Sequence, residues 1–144
     1  MSTATEHPVA QATARARMRG PVLGAGGAAV AALALRLRDP HVSHSWGVCP
    51  LYAATGIYCP GCGSLRAVND LAHGHLAAAA SSNLLFVALI PVMGLLYARW
   101  TIGAWRGDSA SLLPAIPRAA GIGLVLLVVA FVVARNVPGS WLAP

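Results

Sequence analysis

The stretch Cys49–His75, CPLYAATGIYCPGCGSLRAVNDLAHGH, decides how the chain is organised. It holds all three cysteines, two of the five histidines and most of the turn-forming residues that lie between apolar segments. Cys59-Pro60-Gly61-Cys62 predicts a type II turn, with proline at the second position and Gly61 taking the positive φ at the third. Such a turn brings its end Cα atoms within ~7 Å, and a disulfide wants roughly 4.4–6.8 Å. The sulfurs of Cys59 and Cys62 are therefore expected within reach of each other or of one ion. Ser64 is expected to cap a short helix from Leu65 to His73, which Gly74 ends. On that helix Leu65, Val68, Leu71 and Ala72 fall on one side and Arg66, Asn69, Asp70 and His73 on the other. Amphipathic and too short to span, it is expected to lie in the membrane interface, apolar side towards lipid or the bundle. Cys62 stands before its N-terminus, where the helix dipole favours a thiolate. Upstream, Pro50 can open a single helical turn after Cys49 and Thr55-Gly56 can close it. The chain then folds back, so Cys49, Cys59 and Cys62 can cluster, with His73 or His75 as the nearest candidate for a fourth ligand.

Outward from this stretch the chain reads as membrane anchor. Of its 144 residues 57% are hydrophobic and only 10% charged, against roughly 25% charged in a soluble domain. Too little polar surface is present to cover a globule, so an all-α integral membrane protein is expected. An uncharged run of 16 residues, Gly20 to Leu35, follows Arg15, Arg17 and Arg19. It is short against the roughly 17–25 residues of a span, but Arg36 and Arg38 can extend it by sending their charged heads to the interface. Gly20, Gly24, Ala28 and Ala32 recur at every fourth position, a small-residue stripe along which another helix can approach closely. The same run, with Ala32-Leu33-Ala34, also fits a secretory signal with a cleavage site. An uncleaved helix is preferred, because later spans make the chain a membrane protein in either case. Asp39-Pro40 stops it. Ser81, Ser82 and Asn83 offer an N-cap to a second span, in which Pro91 should introduce a kink and which ends among Tyr97, Arg99 and Trp100. Arg106 to Arg118 reads as a connection, with Pro117 in the first turn of a third span closed by Arg135. The expected organisation is a disordered basic tail over 1–19 and one membrane domain over 20–144. Its spans lie at about 20–37, 84–105 and 117–135, and the cysteine loop with its interfacial helix lies at 39–82.

The net charge of +6 comes from ten arginines against four acids. The arginines sit at the ends of apolar runs rather than on a soluble face, so the basic balance speaks for membrane flanks and no nucleic-acid partner is expected. With the N-terminus in the cytoplasm, Arg15, Arg17, Arg19, Arg99, Arg106 and Arg118 lie inside and Arg36, Arg38, Arg66 and Arg135 outside. That bias predicts a multi-pass protein of the cell membrane with an extracytoplasmic cysteine loop. No charge lies mid-span, which argues against an ion-coupled transporter.

Three chemistries are open to the cysteines. Cys-Pro-x-Cys-Gly is a zinc-knuckle sequence, and Cys49, Cys59 and Cys62 with His73 would make a Cys₃His structural metal site, zinc being the candidate ion. Pro60 and Gly61 would shape the turn, and Arg66 could face the thiolates. Alternatively the sulfurs form a disulfide in an oxidising compartment, either structural or as a thiol–disulfide redox pair. No thioredoxin-like βαβ pattern surrounds the pair, and no catalytic residues are assigned. Lastly, the loop could be a rigid cap that binds another membrane protein or a second copy of the chain, beside the lipid bilayer itself. Cys49-Pro50, Thr55-Gly56, Cys59-Pro60-Gly61-Cys62-Gly63, Arg66-Ala67 and His73-Gly74 together resemble a bacterial membrane-protein family catalogued as domain of unknown function 2752. The resemblance covers about Cys49 to Leu85. It implies a small multi-span protein with this motif beside the membrane, and it implies no reaction. One departure is Asn83-Leu84, where that family usually has Asn-Pro.

Overall fold

Long apolar runs in lipid must satisfy every backbone polar group internally, and helices do so within one segment. The computed structural model describes residues 14–108 and 117–143, and all regular structure among them is helical. Five helices follow in order: α1 (Ala14–Leu37), α2 (Pro50–Thr55), α3 (Ser64–Ala72), α4 (Leu76–Arg106) and α5 (Arg118–Arg135). Of these, α1, α4 and α5 are long and apolar enough to cross a membrane, at 24, 31 and 18 residues. At 1.5 Å per residue the shortest is about 27 Å long, close to the roughly 30 Å hydrocarbon core.

Helix α1 begins earlier than its apolar run suggests. Ala14 to Arg19, expected in a tail, form its first turns, and residues 1–13 of that tail lie outside the described residues. Alanine, arginine and methionine are strong helix formers, and the Arg17 Nε donates to the Ala104 carbonyl at 3.1 Å. That bond ties the start of α1 to the end of α4, so the two run antiparallel. The small-residue stripe packs here. A Cβ on Gly20 would lie 3.0 Å from the Trp100 ring, and one on Gly24 would lie 3.7 Å from Tyr97. The Tyr97 hydroxyl donates to the Pro21 carbonyl at 2.6 Å.

Helix α4 is two helices in one. Asn83 has extended backbone (φ −161°, ψ 94°), and the Phe86 N–H donates to its Oδ1 at 3.0 Å. This is N-cap geometry, as Ser81–Asn83 predicts, but the first segment starts already at Leu76. The non-helical residue is Asn83; Pro91, the expected kink, keeps helical backbone. Most of the expected 106–118 connection lies outside the described residues, and Pro117 is the residue just before α5.

The short α3 packs against α4 and α1 with Ala67, Asn69 and Asp70 inwards, while His73 of the polar side stays exposed. Asn69 and Asp70 are each 6% exposed, whereas Leu65 is 45% exposed. Asn69 Nδ2 donates to the Leu35 carbonyl at 2.7 Å and Ser82 Oγ donates to Asp70 Oδ2 at 2.9 Å. In return Arg36 donates to the Ala72 carbonyl at 2.6 Å, so each helix end receives the side chain of the other. The buried polar groups are satisfied by one another and by neighbouring carbonyls, and that orients the helix. Ser64 is its first residue rather than its cap; Gly63 (φ 80°) occupies the cap position.

Candidate metal centre

Three local devices bring the cysteines together. The Cys62 N–H donates to the Cys59 carbonyl at 3.1 Å and closes the expected four-residue turn. Gly61, however, is not the left-handed residue. Positive φ falls on Gly63, so the turn is not type II; the demand for glycine lies one residue beyond Cys62, where the chain swings into α3. Upstream, Pro50 opens α2 and Gly56 (φ 70°) closes it, donating to the Tyr52 carbonyl at 2.8 Å. The Tyr52 and Tyr58 rings then stack with centroids 4.5 Å apart, which folds the following segment back over α2.

The result is a three-sulfur cluster. Cys59 Sγ lies 3.2 Å from Cys62 Sγ and 3.6 Å from Cys49 Sγ, and all three sulfurs fall within 4.8 Å of one another. No two of them stand at disulfide bonding distance. Sulfurs on a tetrahedral ion with metal–sulfur bonds of ~2.3 Å stand about 3.8 Å apart, whereas a disulfide needs about 2.05 Å. The spacing thus fits a shared ion, and the donor set is the soft thiolate type that selects zinc-like metals. Burial and the neighbouring Cys59 and Cys49 thiols push Cys62 up to about 12, while the Tyr52 backbone N–H pulls Cys49 below the ordinary thiol value. Ionisation is thus disfavoured at Cys62, against what its place before α3 suggests, with burial the largest cause.

The other sequence-predicted residues fall elsewhere. His73 is exposed, its Nδ1 lies 2.9 Å from the Asn69 carbonyl and its ring stacks on His75; it is not brought to the sulfurs. Arg66 donates to the Pro40 carbonyl at 3.4 Å. Gly61 leaves room, since an added Cβ would lie 3.8 Å from Cys59 Sγ.

What holds the loop is a set of contacts that spacing did not reveal. Asn83, fully buried, donates from Nδ2 to the Pro60 and Cys62 carbonyls and the Ser64 hydroxyl at 2.9–3.0 Å. Arg135, also fully buried, donates from Nη1 to the Cys59 carbonyl and from Nη2 to the Cys62 carbonyl, each at 3.0 Å. Its guanidinium lies 4.9 Å from the Phe131 ring centre and 5.9 Å from that of Tyr58. Asn136 exchanges two bonds with the Tyr58 backbone, at 2.8 and 3.0 Å. The knuckle is thus clamped by the break in α4 and the end of α5.

Residues 49–97 match the family model described as a protein of unknown function, DUF2752. The DUF2752 match contains the three cysteines, α3 and Asn83, and stops before α5; Arg135 and Asn136 are supplied from outside it. No curated protein and no solved structure matches the chain. The N-cap signal of Ser81–Asn83 placed Asn83 at the break in α4 but gave no sign of its bonds to the cysteine loop.

Proposed function

We propose that this chain is a multi-pass protein of the cell membrane whose cysteine loop binds one zinc-like ion on Cys49, Cys59 and Cys62, and so forms a rigid cap that meets another membrane protein. The meeting of three sulfurs within 4.8 Å carries the proposal. Structural metal sites contribute folding energy directly, and here that energy would lock a loop onto which α1, α4 and α5 converge. The arginine bias supports a cytoplasmic N-terminus and an extracytoplasmic loop. Arg135 turns into the site, so it leaves the count of flanking charge on the loop side and sharpens the bias.

A second reading is favoured by one distance. Cys59 and Cys62, at 3.2 Å, form the closest pair and can close to a disulfide with little movement in an oxidising compartment. One measurement separates the two. Detergent-solubilised protein is subjected to elemental analysis and to a free-thiol count, with and without chelator and reductant. A stoichiometric ion, with thiols released by chelator alone, is expected. Thiols released only by reductant would replace the metal with the disulfide, and three thiols free from the outset would sink both.

A further inference from the structure

The Arg135 guanidinium is fully buried, and among the described residues no carboxylate pairs with it. Two of the three acids there, Asp39 and Asp70, face His41, and Asp108 follows the far end of α4. The Arg135 Nη atoms donate to the carbonyls of Cys59, Pro60 and Cys62, and among the described residues its Nε has no hydrogen-bond partner. A buried charge without a counter-charge is strongly disfavoured. Three neutral thiols, or a disulfide with a neutral thiol, sum to zero and leave the cation uncompensated. Three thiolates on a monovalent ion sum to minus two. Three thiolates on a divalent ion sum to minus one, which the guanidinium neutralises.

Resting on the metal reading above, we infer that Arg135 is the counter-ion of a divalent tris-thiolate centre, with the fourth ligand a neutral donor such as water. Arg135 is then a positioning residue, not a ligand: it holds the loop through the Cys59 and Cys62 carbonyls and balances the charge of their sulfurs. The same net charge would arise from a Cys59–Cys62 disulfide beside a Cys49 thiolate, and the elemental analysis and thiol count described above, made before any reduction, separate the two.

Reduced, metal-stripped full-length protein in detergent is titrated with Co²⁺, and the sulfur-to-cobalt absorption band is followed. The wild type is expected to bind one ion with the band intensity of three thiolates. Arg135→Gln, which keeps a donor but no charge, is expected to weaken binding by about 10–100-fold, the usual range for partners of metal ligands. Arg135→Lys is expected to bind more tightly than Arg135→Gln. Asn83→Ala, which loosens the same carbonyls without changing charge, should lose less than Arg135→Gln. Equal affinity of Arg135→Gln and wild type, or of the Gln and Lys variants, overturns the charge role and leaves the metal reading standing. A wild-type band of two thiolates overturns it too, and settles the matter even if the variants do not fold. No band at all removes the metal reading and this inference with it.

Discussion

At Cys59-Pro60-Gly61-Cys62-Gly63 two glycines look alike in sequence and differ in what the backbone asks of them. Gly63 sits at φ 80°, where a side chain collides with the backbone; Gly61 does not, and faces only Cys59 Sγ at ordinary contact distance. Gly63→Ala is expected to destabilise the loop by about 1–2 kcal/mol and to lower metal affinity, whereas Gly61→Ala should stay near wild type. Thermal melts of the two variants, each paired with a cobalt titration, check the difference. Equal losses would mean that the left-handed residue has been misplaced. The cysteine cluster was legible in the sequence because its causes are local: a proline, a four-residue turn and a helical turn that folds back. Arg135 was not legible, because it reaches Cys59 from 76 positions away. Nothing in a span that ends on arginine separates a head that snorkels to water from one that turns inward.

At the scale of elements, the three spans were readable from length and hydropathy, whereas their packing was only half written. The small-residue stripe of α1 announced a close approach but not its partner, which is α4 of the same chain through Trp100 and Tyr97. Gly20→Leu should force the Trp100 ring away and cost about 1–3 kcal/mol, the usual penalty of overpacking. Gly26→Leu, with nothing within 4 Å of its Cβ position, should be tolerated. Denaturant unfolding in detergent, followed by Trp fluorescence, reports both; equal losses would place the α1–α4 contact elsewhere. The amphipathicity of α3 was also legible, but not which face turns inward. A pattern of apolar and polar residues says that a helix has two sides, and the partners that neighbouring helices offer, here the Leu35 carbonyl and the Ser82 hydroxyl, decide which side is hidden. Here the exposed Leu65 and buried Asn69 and Asp70 reverse the arrangement of a helix in water.

For the whole molecule, the three-span class follows from composition, and the common end at which the loop gathers follows from antiparallel connections. Orientation is the expectation that belongs to this scale. A reporter active only outside the cytoplasm should work when inserted after Gly139 and fail when inserted after Gly107. The opposite pattern would turn the protein over and put the thiols in a reducing compartment.

The clamp on the knuckle also sets a timetable for assembly. Asn83 is made soon after Cys62, but Arg135 and Asn136 are made last among the parts that meet there. At ~5–20 residues per second of synthesis, the 76 positions separating Cys59 from Arg135 take roughly 4–15 s. For that interval the sulfurs stand open on a nascent chain, and whatever loads them, ion or oxidant, can act before the last span shuts the door behind it.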